Sequence, residues 1–183
     1  AARSLSFAPG RRRHALSSPH MSKPNFIARA LAPLQVLPPF LRSRAQTVLF
    51  QRMVPFTGTA GIQFEEVGPD RVALRLASGR RVHNHIGGVH AAAAGLLAET
   101  ATGFVVAVNL PDDKLPLLRS MKVDYTRRAR GGLRAVATLS PEQRQAFLDQ
   151  PKGDVAVAVT VTDEGGASPM ECEFVWAWVT KGV

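Results

Sequence analysis

The sequence has a single cysteine among its 183 residues, Cys172. An intramolecular disulfide is therefore impossible, and the same scarcity argues against a cysteine-based metal site. A reducing compartment is the setting that such a composition suits. No apolar run reaches the roughly 18 residues that a membrane-spanning helix needs, so we expect no stable membrane insertion. Hydrophobic residues still make up 45% of the chain, which is enough for a packed core.

Acidic residues are missing from the first third of the chain. Residues 1–52 contain nine of the 23 Lys and Arg residues, and the first carboxylate is Glu65. Residues 53–183 contain equal numbers of basic and acidic residues, so the net charge of +9 belongs to the N-terminal third. A nucleic-acid-binding domain carries its basic face on the fold itself, and residues 53–183 have neither zinc-finger spacing nor an aromatic RNA-binding signature. We therefore expect no nucleic-acid partner.

The charge distribution suggests three segments. Residues 1–20 are rich in Arg, Ser and Ala and are predicted to be a disordered basic leader or extension. That composition suits a mitochondrial or plastid presequence, and equally suits sequence upstream of a start at Met21. We predict a cytoplasmic protein, or one of the mitochondrial matrix if the leader is a presequence. Residues 21–54 are predicted to be an N-terminal helical extension, and residues 55–183 the main domain.

Most of the main domain follows the pattern of short β-strands. Val72, Leu74 and Leu76 alternate with other side chains, as expected for a strand with one buried face. Within the predicted strand 171–180, the stretch FVWAWV, residues 174–179, is apolar on both faces. This predicts an inner helix and a partner or extension outside. Residues 141–148 predict a short helix with Ser140 as its N-cap. The predicted strands are 61–67, 71–77, 104–110, 118–128, 133–139, 154–162 and 171–180.

The segment HNHIGGVHAAAAGLLAETATG, residues 83–103, differs from its surroundings. Residues 89–102 contain six Ala, two Leu and one Gly, so length and composition favour a helix. Small residues on nearly every side indicate a helix that is closely enclosed by other backbone. Glu99 lies within this helix, and a buried carboxylate is costly unless it is paired or used in chemistry.

The spacing around this helix resembles that of the hotdog acyl-CoA thioesterases. Asn84 lies six residues before His90, and Glu99 lies nine residues after it, as in the branch of the phenylacetate-pathway thioesterase and one bacterial 4-hydroxybenzoyl-CoA thioesterase. The later stretch VDYTRRARGGLRAVATL resembles the strand pair that follows in that branch, or in an uncharacterised hotdog family within it. The resemblance covers about residues 55–180. One difference is that Ala91 and Ala92 stand where that branch has two glycines.

The resemblance implies an α+β hotdog fold, in which an antiparallel sheet wraps around the central helix. It also implies an acyl-CoA substrate and a homodimer or dimer of dimers. The residues themselves suggest the chemistry of a thioester hydrolase. Glu99 can attack the thioester or activate a water, Asn84 can hold substrate or water, and the N–H groups at the helix start near Ala91 can stabilise the oxyanion. His90 completes the predicted catalytic set.

The distance between these groups imposes a constraint. Ala91 and Glu99 are eight residues apart, or roughly 12 Å along a helix. One thioester carbon cannot contact both, because reacting groups approach within about 3.5 Å. We therefore predict that the oxyanion donor and the carboxylate of each site come from different subunits.

Other interpretations of the same residues are open from the sequence. Glu99 could pair with an arginine or cap a neighbouring element, and His90 could be a packed histidine that bonds the backbone. His83, His85, His90 and Glu99 could bind a metal, because His-x-His on a strand places both rings on one face. A serine nucleophile is disfavoured, since no Gly-x-Ser-x-Gly is present and Ser120 has no evident partner.

Arg127, Arg128 and Arg130 have two interpretations. They could be a solvated rim, or they could contact the phosphates of CoA, which is strongly anionic. CoA enters here only as part of the substrate, and we predict no separate cofactor and no metal. The rival functions are a non-catalytic acyl-CoA-binding or dimeric interaction protein of the same fold, and a hotdog hydratase or dehydratase. The hydratases usually pair an Asp with a His, whereas Glu99 and Asn84 fit hydrolysis better.

Overall fold

The structure of the protein, a computed structural model, describes residues 25–182. The predicted leader, residues 1–20, lies outside the described residues. Residues 25–182 form five α-helices and six β-strands, joined by turns and by short 3₁₀ helices at Ala32–Val36 and Arg80–Val82. The helices are α1 (Phe26–Leu31), α2 (Pro39–Met53), α3 (Pro55–Ala60), α4 (Ala91–Ala107) and α5 (Pro141–Asp149). The strands are β1 (Gln63–Val67), β2 (Arg71–Leu76), β3 (Lys114–Tyr125), β4 (Leu133–Thr138), β5 (Gly153–Asp163) and β6 (Met170–Thr180).

The six strands form one antiparallel sheet in the order β1-β2-β4-β5-β6-β3. Helix α4 lies across one face of this sheet and contacts β2 to β6. Leu97, Ala98 and Ala101 of α4 are fully buried against the sheet. The expected α+β class, with a helix of small residues packed against an antiparallel sheet, is confirmed. Within residues 25–182 no helix has the length and apolar character needed to cross a bilayer.

The predicted strand at 104–110 is wrong, because α4 continues to Ala107. Its last turns contain Phe104, Val105 and Val106, which are all buried. β-branched and aromatic residues favour strands only weakly, and burial on several sides supports them equally well in a helix. The helix predicted at 89–102 is confirmed, although it begins at Ala91 and ends at Ala107, five residues later than expected.

The N-terminal helices are packed into the same core as the main domain. Phe50 of α2 is fully buried and stacks with Phe64 and Phe104 at ring-centroid distances of 4.7 and 4.6 Å. Asn25, which caps α1, donates from Nδ2 to the carbonyl oxygens of Ala107 at 2.8 Å and Leu110 at 2.7 Å. These two bonds satisfy carbonyl groups that the end of α4 leaves without helical partners.

The two edges of the sheet differ. At the β1 edge, the backbone N–H and C=O of Phe64 bond to Thr47 at 2.9 Å and Ser43 at 2.7 Å, both on α2. That edge is therefore covered. At the other edge, β3 is twelve residues long and, within the described chain, pairs only with β6. Its exposed side chains include Leu117, which is 50% exposed, and Met121, which is 53% exposed.

The inner face of β6 has the helical cover that its sequence predicts. Trp176 is buried against α4, and its indole Nε1 donates a 3.0 Å hydrogen bond to Thr102. Trp178 is buried beside Phe147 of α5. On the other face of β6, Val175 and Ala177 are half-buried and Val179 is exposed.

Candidate functional site

The loop before α4 is shaped by Asn84. Its Oδ1 accepts hydrogen bonds from the backbone N–H groups of Ile86 at 3.1 Å and Gly88 at 3.0 Å, while its own N–H donates to the Gly88 carbonyl at 2.8 Å. Gly87 has a φ of +76°, which a residue with a side chain rarely adopts. The loop therefore fixes the Asn84 carboxamide through its oxygen, and within residues 25–182 its Nδ2 has no hydrogen-bond partner.

His90 is the N-cap of α4. Its Nδ1 accepts a 3.1 Å hydrogen bond from the N–H of Ala92, and its carbonyl accepts the first intrahelical bond from Ala94 at 3.0 Å. The interpretation of His90 as a histidine bonded to the backbone matches this contact. Within residues 25–182 the N–H groups of Ala91 and Ala93 have no hydrogen-bond partner. They are two donors at the positive end of the helix dipole.

The alanines at the start of α4 have ordinary helical geometry. No residue other than glycine has a positive φ anywhere in residues 25–182, and Ala91 and Ala92 lie within the helix. The two glycines of the resembled branch are therefore not required here for backbone conformation. Alanine can present the same N–H groups.

A cavity of about 250 Å³ lies at this helix start, and we call it the amide cavity. Asn84 and Ala91 line it together with Arg127 and Arg128. Arg128 Nη2 donates to the carbonyl of Ile86 at 3.0 Å, and so braces the loop that holds Asn84. Arg127 Nη2 lies 3.6 Å from the buried carboxylate of Asp163. Two of the three predicted arginines thus line the cavity.

Arg130 does not line the amide cavity. Its backbone N–H donates to Asp163 at 3.0 Å, and its carbonyl accepts from Glu164 at 3.1 Å. Hydrogen bonds from the N–H groups of Arg130 and Ala167, with the nearby Arg127 guanidinium, lower the pKa of Asp163. The role of Arg130 in this structure is to hold the turn between β5 and β6 against the strand that follows β3.

Tyr125 is a site residue that the sequence analysis missed. Its hydroxyl donates a 2.6 Å hydrogen bond to the carbonyl of Ala91, so it joins the end of β3 to the first turn of α4. It also lines both the amide cavity and the groove that contains Glu99. Burial raises the pKa of Tyr125, so its hydroxyl stays protonated at neutral pH. A possible signal was its position as the only tyrosine, at the end of an alternating strand.

Glu99 lies two helical turns beyond Ala91. Burial raises the pKa of Glu99, and a hydrogen bond of 3.4 Å from Thr100 opposes this only in part. Within residues 25–182 no Lys, Arg or His forms an ion pair with Glu99, so pairing with an arginine is not seen. A half-buried carboxylate without a cation is a candidate for chemistry.

Two apolar cavities meet at Glu99. The larger, of about 690 Å³, lies against β3, and we call it the β3 groove. The smaller, of about 200 Å³, extends along α4 towards its C-terminal end, and we call it the α4 pocket. Asn84, Ala91, Arg127 and Arg128 line neither of them. The structure therefore places Asn84, Ala91, Arg127 and Arg128 around one cavity and Glu99 at two others in the same chain.

The histidines do not form a metal centre in this structure. Within residues 25–182 no three His, Cys, Asp or Glu side chains lie close enough together to hold a metal ion. His83 Nε2 is 2.9 Å from the hydroxyl of Ser78, and His90 Nδ1 is occupied by the α4 backbone.

Comparison with known proteins places the chain in a family. The model of a family described as a domain of unknown function, DUF4442, matches residues 42–179. The chain belongs to this family. No curated protein matches this DUF4442 protein.

Solved structures share its fold. A protein of unknown function from Pseudomonas aeruginosa, described as a probable thioesterase, is 23% identical with a TM-score of 0.68, covering 79% of this chain and 97% of its own. A structural-genomics target is 26% identical with a TM-score of 0.66, covering 85% of this chain and 99% of its own. A Staphylococcus aureus thioesterase is 16% identical with a TM-score of 0.59, covering 68% of this chain and 98% of its own. The DUF4442 protein therefore has the fold of proteins named as thioesterases.

The Staphylococcus aureus protein has been solved as two single variants. One replaces a glutamine by alanine and the other a glutamate by alanine. The two replaced residues are as far apart in that sequence as Asn84 and Glu99 are in this DUF4442 protein.

Proposed function

We propose that this protein is an acyl-CoA thioesterase with a hotdog fold that acts as a homodimer. Each site would take Asn84 and the N–H groups at the start of α4 from one subunit, and Glu99 from the other. The observation that carries the proposal is Glu99 itself. It is a half-buried carboxylate with a raised pKa and, among the described residues, no cation beside it, at the meeting point of two apolar cavities.

The chemistry follows from these groups. The Glu99 carboxylate takes a proton from water as the water oxygen attacks the thioester carbon, or it attacks that carbon directly. The negative charge that develops on the thioester oxygen is stabilised by the N–H group of Ala91 and by the positive end of the α4 dipole. The carbon–sulfur bond then breaks, and the leaving thiolate takes up the proton that Glu99 received from water. In the direct route, breakage of the carbon–sulfur bond leaves an anhydride between Glu99 and the acyl group, and the thiolate takes up a proton from solvent. Water then hydrolyses the anhydride, which releases the carboxylic acid and restores Glu99. The Nδ2 N–H groups of the Asn84 carboxamide hold the thioester or the water.

The asymmetry of the two sheet edges supports a second copy of the chain as the partner. Long exposed edge strands with apolar side chains are rare in proteins that stay monomeric, because they pair with other strands. The β1 edge is covered by α2, whereas β3 exposes apolar side chains along most of its length. A two-fold axis beside β3 would extend the sheet and place two α4 helices antiparallel.

That arrangement would resolve the separation within one chain. Antiparallel α4 helices bring Glu99 of one subunit to the Ala91 end of the other. Within a single helix the two residues are roughly 12 Å apart, so one thioester carbon could not contact both. The β3 groove would then be covered by the partner, and Arg127 and Arg128 would lie at the rim where CoA phosphates enter. The spacing of the two residues replaced in the Staphylococcus aureus thioesterase further supports Asn84 and Glu99 as a working pair.

The test is release of free thiol from a panel of acyl-CoA esters. We expect hydrolysis by the wild type, none by Glu99→Gln, and wild-type rates for Glu173→Gln, an exposed carboxylate on β6. Gln keeps the volume of Glu and removes its charge, so dimerisation and ester binding should survive in Glu99→Gln. Tight binding of acyl-CoA by the wild type without thiol release would instead identify a non-catalytic binding protein.

A further inference from the structure

The α4 pocket begins at Glu99 and continues along one face of α4. Glu99, Gly103 and Ala107 line it, and their spacing of four residues places them in a row on that face. The row is roughly 12 Å long from Glu99 to Ala107. The pocket therefore has the carboxylate at one end and only apolar or small groups beyond the first turn.

The sheet side of the pocket is formed by Trp176. The hydrogen bond to Thr102 fixes the indole, and the ring lies directly over Gly103. A Cβ atom at Gly103 would come within 2.7 Å of this ring, which is closer than atoms can pack. Glycine at this position therefore allows the indole to approach the helix backbone closely. Together with Phe104 and Pro116, Trp176 makes this side of the pocket apolar.

The outer side of the pocket is formed by the N-terminal helices. Ile27 of α1 and Met53 and Val54 at the end of α2 line it. The α1 helix is fixed to the far end of α4 by the two hydrogen bonds from Asn25 to the carbonyls of Ala107 and Leu110.

Asp112 adds a second attachment of α1. Its carboxylate accepts from the backbone N–H of Phe26 at 2.6 Å and pairs with Arg29 at 2.8 Å. Both contacts lower the pKa of Asp112, so it is a carboxylate at neutral pH. These bonds fix α1 beside the C-terminal end of α4, and Ile27 of α1 lines the pocket there.

We infer that the α4 pocket binds the straight aliphatic chain of the acyl group, and that α1 and α2 set its length. The inference rests on the proposed function, since Glu99 places the thioester carbon at the pocket mouth. With carbon–carbon bonds of about 1.5 Å, an extended chain of about eight to ten carbons spans the row. A single aromatic ring would fill only the part nearest Glu99. The substrate class is therefore a medium-chain acyl thioester.

The experiment measures kcat/KM for butyryl-, octanoyl-, decanoyl-, palmitoyl- and benzoyl-CoA with wild type and Ala107→Leu. We expect a wild-type maximum at octanoyl or decanoyl. The leucine side chain fills the distal end of the pocket. The kcat/KM for decanoyl-CoA should therefore fall by about tenfold for every two methylene groups that it displaces, while the kcat/KM for butyryl-CoA should change by less than about twofold. Ala158→Leu, which adds the same volume at an exposed position on β5, should leave the profile unchanged.

Met53→Ala provides the opposite change. Met53 is 39% exposed, so its truncation should not unfold the protein, and the wider pocket should favour palmitoyl over octanoyl relative to wild type. If Ala107→Leu and Met53→Ala lower the kcat/KM of every ester by the same factor, or change the kcat/KM of none, the pocket does not hold the acyl chain.

Binding of the same esters to Glu99→Gln, measured by calorimetry, separates this inference from the proposed function. Affinity that rises with chain length to decanoyl, and that falls for decanoyl in the double variant Glu99→Gln/Ala107→Leu, supports the pocket even if the wild type releases no thiol. Affinity that is independent of chain length overturns the pocket, whether or not the wild type is a hydrolase.

Discussion

The hydroxyl of Tyr125 lies 2.6 Å from the carbonyl oxygen of Ala91 and donates a hydrogen bond to it. This contact ties the open edge strand β3 to the first turn of α4, where the proposed oxyanion donors are. Within residues 25–182 no other side-chain hydrogen bond joins β3 to α4. We therefore expect Tyr125 to act as a positioning residue, which orients the start of α4 through the carbonyl of Ala91.

We expect Tyr125→Phe to fold normally and to lose activity moderately. Phenylalanine keeps the ring that separates the amide cavity from the β3 groove, so only the hydrogen bond is lost. A typical bond of this kind contributes about 1 kcal/mol, which corresponds to a drop of about fivefold in kcat. The KM and the pH profile should be unchanged, because neither substrate contacts nor Glu99 are altered. A rise in KM with an unchanged kcat would indicate instead that Tyr125 contacts the substrate.

Glu99→Gln should make the protein more stable at neutral pH. Burial raises the pKa of Glu99 above its ordinary value of 4.5, so the folded state holds this proton more tightly than the unfolded state does. By linkage, the stability of the wild type then falls as the pH rises from 4.5 through the raised pKa, whereas glutamine does not titrate. The Tm of the variant should exceed that of the wild type at pH 7, and this difference should disappear below pH 4.5, the ordinary pKa of a glutamate. A Tm difference that is the same at all pH values would show that the charge is not desolvated.

Asn25→Ala should destabilise the protein, whereas deletion of residues 1–20 should not. Asn25 is only 8% exposed, and its loss leaves two carbonyls at the end of α4 without their donor. The expected cost is about 1–3 kcal/mol in the free energy of unfolding, measured by urea denaturation. The leader carries uncompensated charge and lacks the apolar spacing of a core segment. A large drop in stability on its deletion would contradict that view.

Several elements were predictable because their signals are local. Ser140 is the N-cap of α5, as predicted, and the structure adds a reciprocal pair with Gln143, with bonds of 3.2 and 2.8 Å. The alternation at Val72, Leu74 and Leu76 predicted β2, and these three side chains are fully buried on one face of the strand. Local patterns of this kind depend on the period of the element and not on its neighbours.

Other features depend on distant partners. The run after Gly103 resembled a strand, yet it is helical because Phe50 and Phe64 surround Phe104 from other elements. The predicted N-terminal extension contributes Phe50 to the core and Asn25 to the end of α4, and neither contact has a sequence signature. Tyr125 was missed for the same reason, since its bond to Ala91 joins residues far apart in the chain. The separation of Ala91 from Glu99 was predictable, because it follows from the rise of a helix alone.

The shared site can be tested by mixing two inactive variants. Asn84→Ala removes the residue that shapes the loop before α4, and Glu99→Gln removes the carboxylate. If each site takes Asn84 from one subunit and Glu99 from the other, a mixed dimer contains one intact site and one doubly damaged site. Purified heterodimers, isolated through two different affinity tags, should therefore recover up to about half of the wild-type activity per dimer.

The control for this experiment is a heterodimer of Glu99→Gln with the double variant Asn84→Ala/Glu99→Gln. It contains no intact carboxylate, so it should be as inactive as its parents even though it assembles through the same interface. Recovery in the first heterodimer and none in the second requires that Glu99 acts on the neighbouring subunit's Asn84. Two inactive heterodimers, each verified as folded and dimeric, would show that both residues act from one chain. The roughly 12 Å between Ala91 and Glu99 would then have to be bridged by a movement of the loop before α4.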